Sequence, residues 1–259
     1  MRVAVLGSGS AGNCLVVESA GRRILIDAGF SCREVEARCR RVGVAPETVE
    51  AVIVTHEHND HSLGADRLAR RLGLAVYATE GTLKALHWSR DARPRLHSIA
   101  PGWPYEIAGF EVEAFPVPHD AADPVGVVVT DRAGARVGFV SDLGCWSRLA
   151  GARLRDVDLL VLEANHDLDM LRRGPYPWVL KQRVASRHGH LSNQQAAEAL
   201  PELVSDRLRS VVLYHLSRSN NEPALAVEAV SCALDRLGST ALVTLTEQSK
   251  PSSWMEVSQ

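Results

Sequence analysis

Four histidine and aspartate side chains crowd into six positions, His56-Glu57-His58-Asn59-Asp60-His61, directly after Thr55. Imidazole and carboxylate are the donors that zinc and other borderline divalent ions accept. In extended chain His56 and His58 point to the same side. Asp60 and His61 come one step later, where Ser62 is placed to cap a following helix. One turn can therefore serve two metals, with the histidine pair for one and Asp60 with His61 for the other. The helical zinc motif H-E-x-x-H sets its histidines four apart on one helix face, whereas His56 and His58 are two apart. A merely solvated polar turn is the competing reading, and the density of ligand types argues against it.

The turn follows Ala51-Val52-Ile53-Val54, a short β-branched run that reads as a buried strand. His119, Asp142 and His215 likewise follow apolar runs, at Glu111–Val117, Arg136–Val140 and Ser210–Tyr214. Strand ends are where open sheets place their chemistry. On this reading His56, His58 and His119 hold one metal, Asp60, His61 and His215 hold the other, and Asp142 bridges them. The donors are all nitrogen or oxygen, which suits zinc and also manganese or iron. Asp27, at the end of the strand-like Arg23–Ile26, either orients a ligand histidine from behind or caps a turn.

Other stretches carry weaker signals. Gly7-Ser8-Gly9-Ser10-Ala11-Gly12-Asn13 is a glycine-rich turn whose backbone amides, with Ser8, Ser10 and Asn13, suit an anion, or which simply links two strands. Ser217, Asn220 and Asn221 stand close after His215, as phosphate contacts or as a turn before Pro223. His166 either contacts phosphate or belongs to a polar cap, and His188 adjoins a basic stretch with Lys181, Arg183 and Arg187. His87 and His97 lack ligand-type neighbours and read as surface or structural residues.

Helix signals alternate with strand signals along the chain, without a repeat or a linker. The economical architecture is one domain over residues 1–259, made of two packed sheets with outer helices and a loose polar tail over about 249–259. With 46% hydrophobic and 23% charged residues and a formal net charge of −2, the chain is no polycation that binds nucleic acid or acidic membranes through bulk charge. Five scattered cysteines without a C-x-x-C pair argue against a disulfide framework. No signal peptide and no bilayer-spanning apolar run is seen, so the expected setting is the cytoplasm.

The string Thr55–His61, followed in order by His119, Asp142 and His215, resembles the metallo-β-lactamase superfamily over nearly the whole chain. The resemblance implies an α/β fold, the αβ/βα sandwich of two mixed sheets flanked by helices, with a metal centre at one edge. True β-lactamases usually carry cysteine at the Asp142 position, so aspartate points to the dinuclear hydrolase branches. Gly7–Cys14, Glu163–Asp167, Gly189–Asn193 and His215–Asn221 look like the YycJ/WalJ-type subfamily, a group associated with nuclease or phosphodiesterase activity. The related transfer-RNA 3′-processing enzymes pair a glutamate with a histidine in a G-H-S segment. By position those roles fall on Glu163 and His190, although Leu191 interrupts the H-S pair. The chain lacks the length for the extra domain of ribonuclease J, and His119 and Asp142 stand too close for a transfer-RNA-clamping arm.

The implied function is hydrolysis of phosphodiester bonds, foremost as a nucleic-acid exonuclease. Two metals roughly 3.5–4 Å apart would share a hydroxide for in-line attack, with Asp60 at the reacting centre and His190, oriented by Glu163, protonating the leaving alkoxide. The alternatives are a small-molecule phosphodiesterase, a thioester hydrolase of the glyoxalase II kind, and an inactive binding scaffold.

Overall fold

The computed structural model describes residues 1–89 and 94–257. Its β-branched runs form two seven-stranded sheets. The first contains β1 (Arg2–Gly7), β2 (Cys14–Ser19), β3 (Arg22–Ile26), β4 (Ala51–Ile53), β5 (Ala75–Ala78), β6 (Arg95–Ser98) and, at its other edge beside β1, β14 (Met255–Glu256). The second runs in chain order from β7 (Pro104–Ile107), β8 (Phe110–Pro116), β9 (Val125–Thr130) and β10 (Arg136–Val140) to β11 (Leu159–Glu163), β12 (Ser210–Tyr214) and β13 (Leu242–Leu245). The helices are α1 (Cys32–Arg41), α2 (Asn59–Ser62), α3 (Ala65–Leu72), α4 (Glu80–Ala85), α5 (Arg148–Leu154), α6 (Leu168–Arg173), α7 (Trp178–Val184), α8 (Asn193–Leu203) and α9 (Pro223–Arg236).

Strand alternation builds the layers. Val3 and Val5 of β1 meet Val212 and Tyr214 of β12 in a core shared by both sheets. The intervening Ala4 and Leu6 face α1 and α3, while Val211 and Leu213 face α8 and α9. Helix, sheet, sheet and helix thus stack in the αβ/βα order expected.

Strand direction decides where the chemistry gathers. β3 and β4 are parallel, as are β10, β11 and β12. β8 is antiparallel to β9, which is antiparallel to β10, so β8 and β10 end on the same side. The chain leaves β3, β10 and β12 through Asp27, Asp142 and His215, which have positive φ of 61°, 57° and 57°. Asp and His are among the non-glycine residues that tolerate this region best, at a cost of about 1–3 kcal/mol each. Local bonds hold the kinks, with Asp27 N–H donating to the Ile53 carbonyl and His215 N–H to Ser8 Oγ.

Three local expectations are revised. Residues 255–257 are no loose tail. β14 pairs with β1, Ser252 N–H donates to the Val5 carbonyl, and Val257 is buried in the shared core. The driving group is Trp254, whose Nε1 donates to the Val42 carbonyl at 2.9 Å and whose ring lies under the Arg2 guanidinium at 4.2 Å. Ser62 does not cap a helix. Its hydroxyl donates to the Glu57 and His58 carbonyls from the last turn of α2. α5, α6 and α7 are helices without a clear apolar period, which adds short helices to the alternation the sequence predicts. Trp254→Ala is expected to lower stability by about 2 kcal/mol in denaturant unfolding, and no change in the midpoint would restore the loose-tail reading.

Candidate metal centre

Backbone clamps shape the Asp60–His61 turn before any side chain acts. Asp60 O accepts from Asn13 N–H at 2.8 Å and His61 O from Ala28 N–H at 2.7 Å. Gly29 lies so close that a Cβ there would stand 1.7 Å from Asp60 O, a contact only glycine permits. His56 and His58 leave β4, His119 follows β8, and Asp142 and His215 follow β10 and β12.

Ligand atoms of His56, His58 and His119 lie within 4.8 Å of one another, as do those of Asp60, His61 and His215. Asp142 sits between the groups: Oδ2 is 3.0 Å from His61 Nε2, while Oδ1 is 3.6 Å from His215 Nε2 and 3.8 Å from His119 Nε2. His119 Nε2 and His58 Nδ1 face each other at 3.2 Å. His56 Nε2 is buried without a hydrogen-bond partner, an arrangement that costs free energy unless a further group completes it. These donors fit divalent metal ions.

A layer behind them sets the tautomers. Asp27 Oδ2 lies 2.6 Å from His61 Nδ1, and both Asp27 oxygens accept from Thr55 Oγ1 at 3.0 Å. With its proton given to Asp27, Thr55 Oγ1 accepts from His56 Nδ1 at 3.1 Å. One buried carboxylate therefore keeps protons on two Nδ1 atoms and turns both Nε2 atoms inward. The Gly189 carbonyl does the same for His119 Nδ1 at 3.0 Å. Asn165 Nδ2 donates to the His215 carbonyl at 2.8 Å and so fixes the loop that carries the ring. Asn165 was not singled out in the sequence, and an asparagine after a glutamate gives no sign that it will back a histidine fifty positions away.

Electrostatics favour cation entry. Burial, then the neighbouring His61, holds His56 well below the ordinary imidazole range. His119 is lowered by burial despite Asp142. Burial opposes ionisation of Asp142, but His215 and His61 outweigh it and hold the carboxyl well below its usual range. Burial likewise opposes a charge on His61, yet Asp142 and Asp27 raise it well above an ordinary histidine. Without metal, a proton on His61 occupies the place of positive charge between two carboxylates.

Glu163 and His190 stand beside this cluster. Glu163 Oε1 is 2.7 Å from His190 Nδ1, and its Oε2 accepts from Leu143 N–H and Leu191 N–H, each at 3.1 Å. Leu191, which breaks the H-S pattern in sequence, thus anchors Glu163 through its backbone. His190 Nδ1 is also 3.5 Å from Asp142 Oδ1, and its ring stacks on His215 at 5.2 Å between centroids.

The remaining candidates lie further back. Asn13 is fully buried, and its amide donates to the Gly9 and Asp60 carbonyls and stands 3.1 Å from His61 Nε2. The glycine-rich turn spends its amides internally: Gly9 N–H on Asn13 Oδ1, Ala11 N–H on Gln248 Oε1, Gly12 N–H on the Gly9 carbonyl. Ser8 Oγ serves the His215 amide, while Ser10 is exposed at the tip. Ser217 Oγ accepts from Asn220 N–H, a turn bond. His166 and Asn220 are each 1% exposed with their side-chain nitrogens and Asn220 Oδ1 unpartnered. Burial first lowers His166 to about 4, leaving it neutral. His188 is exposed, and its carbonyl accepts from Asp120 N–H. His87 is exposed, and exposed His97 stacks on Tyr77.

A buried cage of histidine and aspartate donors at the edge of an αβ/βα sandwich defines a metal-dependent hydrolase. Comparison with known proteins agrees. The profile of the beta-lactamase superfamily domain matches residues 22–216. Exodeoxyribonuclease WalJ of Streptococcus pneumoniae serotype 2 (strain D39) is 35% identical over 240 residues, spanning 87% of this chain and 85% of the relative. Exodeoxyribonuclease YycJ of Bacillus anthracis is 35% identical over 240 residues, spanning 92% and 90%. The metallo-β-lactamase-fold protein YhfI of Bacillus subtilis superposes with a TM-score of 0.75 over 97% of this chain and 98% of its own, at 17% identity, which speaks for the fold. The chain belongs to the beta-lactamase superfamily and, within it, to the YycJ/WalJ subfamily.

Asp27→Asn tests the layer behind the ligands. An amide cannot accept from both Thr55 and His61 while facing an N–H at each end, so metal affinity is expected to fall about 10–100-fold in chelator competition. Unaltered affinity would show that Asp27 only holds the turn.

Proposed function

We propose that this protein is a metal-dependent exonuclease acting on DNA, with zinc as the foremost metal and manganese or iron as substitutes, working in the cytoplasm. The observation that carries the phosphodiesterase reading is the Glu163–His190 pair, 2.7 Å apart and abutting Asp142. A thioester expels a thiolate, which departs without a proton, whereas an unactivated phosphodiester expels an alkoxide that needs one. The choice of DNA follows from the names of the relatives. Among the described residues no helix is long and apolar enough to cross a membrane.

His56, His58 and His119 would hold one ion, Asp60, His61 and His215 a second, and Asp142 would touch both. Divalent ions held there would supply an activated water near neutral pH and offset charge on the phosphoryl oxygens. The chain's own residues do the rest. Asp27, Thr55 and the Gly189 carbonyl fix ring orientations, and Asn165 fixes the loop that carries His215. His190 keeps Nδ1–H on Glu163, which leaves Nε2 to deliver a proton to the departing oxygen. Burial alone would depress His190, but Glu163 and Asp142 outweigh it and push it up to about 9, so it carries the proton at neutral pH. Asn13, Ser8 and Ser217 act in this scheme by holding the loops, and Ser10 remains free at the rim.

The test is cleavage of end-labelled single-stranded and duplex DNA, RNA and bis-p-nitrophenyl phosphate by metal-loaded protein. Progressive shortening of DNA from one end is expected. Turnover of the small ester alone would replace this reading with that of a small-molecule phosphodiesterase.

A further inference from the structure

Between His166 and His190 the chain leaves the site and returns to it. Asp167 N–H donates to the Asn220 carbonyl at 2.9 Å where the excursion begins, and His190 N–H donates to the Val184 carbonyl at 2.9 Å where it ends. The excursion carries α6 and α7. Over residues 168–190 it has Arg172, Arg173, Lys181, Arg183 and Arg187 against a single acid, Asp169, in a chain whose net charge is −2. Arg172 and Arg173 meet Asp169 only at 3.6 and 3.9 Å, as exposed pairs of little strength. Arg183 pairs with Asp120 beside His119. Arg187 has no ion-pair partner among the described residues.

At the far end of this basic surface Trp178 is 70% exposed and Val179 76% exposed. A bare indole has no role in the packing there. The backbone that presents it is restrained, because Pro175 and Pro177 fix φ on both sides of Tyr176 and immediately before Trp178. α7 then leads straight to the catalytic rim. The six steps of helix from Trp178 to Val184 rise about 9 Å, and the Val184 carbonyl in turn holds the His190 amide, so a strand of a few nucleotides spans from the indole to the site.

We infer that the α6–α7 excursion is a landing surface for single-stranded nucleic acid, on which Trp178 stacks a base a few nucleotides from the scissile bond. This rests on the nuclease reading and names the strand state that the site takes. The bases of a duplex are already stacked on each other and leave no face for an indole, whereas every unpaired base offers one. The positive residues follow the backbone. Self-association through this patch would set like charges against each other across a two-fold axis, which disfavours a second copy as the occupant.

The test uses full-length, metal-loaded protein on a short single-stranded oligonucleotide and on its duplex. Trp178→Ala is expected to raise KM for the single strand about 5–150-fold with kcat held, and Trp178→Phe to recover most of that loss. Arg187→Ala should flatten the log–log salt dependence of binding by about 0.7, which Trp178→Ala should not. Trp103, 69% exposed in the turn before β7, is the control, and Trp103→Ala should leave KM unchanged. An unchanged KM in Trp178→Ala overturns the stacking platform and leaves the nuclease reading standing. An equal loss on duplex overturns the single-strand assignment. Wild-type hydrolysis of bis-p-nitrophenyl phosphate with no oligonucleotide cleaved overturns the nuclease reading itself. Sedimentation showing a dimer that Trp178→Ala dissociates overturns the inference in favour of self-association.

Discussion

Asp142→Ala is expected to lower turnover of every phosphodiester by more than about 10⁴-fold, beyond the usual cost of losing a general acid, and to reduce bound metal. Its carboxylate faces both clusters of donors, with His61 at 3.0 Å on one oxygen and His215 and His119 at 3.6 and 3.8 Å on the other. A buried anion serving several cations is a site where removing one partner costs far more than the pair contributes. The variant removes the carboxylate between His61, His119 and His215 and leaves Asp60 beside His215 and His61 alone, at 3.2 and 3.8 Å, so cations entering the cage repel each other with less screening. Asp142→Cys separates the two roles. A thiolate is a strong ligand for zinc but has one donor atom where Asp142 has two. It is therefore expected to restore much of the metal content in plasma emission analysis without restoring turnover. Full metal content and turnover within tenfold of wild type in Asp142→Ala would remove Asp142 from the centre of the site.

That the histidines and aspartates gathered at the sheet edge are legible in the sequence reflects one physical fact. A metal centre at a sheet edge needs donors where strands stop, and β-branched runs mark strands without knowledge of the fold. Val52-Ile53-Val54 before His56 and Val211–Tyr214 before His215 carry that signal on their own. The supports were less legible because they come from loops that only the fold brings near. Asn13 sits in a glycine-rich turn that reads equally well as an anion nest, and the outcome depends on its amide turning inward to Asp60 and His61. β14 is two residues long, below any periodic signal, and its place is set by Trp254 packing rather than by pattern. α6 and α7 are short, with no buried stripe to announce them: Leu171 and Val184 are their buried residues. An element whose purpose is to face outward has no hydrophobic period to read.

His190→Ala is expected to slow cleavage of an unactivated phosphodiester about 10²–10⁴-fold, yet to leave bis-p-nitrophenyl phosphate nearly unaffected, since p-nitrophenolate departs without a proton. This substrate dependence separates a proton donor from a residue that merely shapes the site, which would slow both. The pH profile adds a second discriminator. His190 is raised to about 9, with burial opposing and Glu163 the leading cause of the rise, so its acid form is complete at low pH and is lost as pH rises through that value. Cations in the adjoining cage push the value back down, so the wild-type rate on the poor leaving group should fall along an alkaline limb below about 9. Glu163→Gln removes the carboxylate charge, and its amide cannot accept from His190 while also accepting from Leu143 N–H and Leu191 N–H. In that variant the limb should move to lower pH while metal content is kept, and in His190→Ala it should vanish. Equal slowing of both substrates, or an alkaline limb that survives His190→Ala, would assign the proton to another group and reduce Glu163 and His190 to a brace for Asp142.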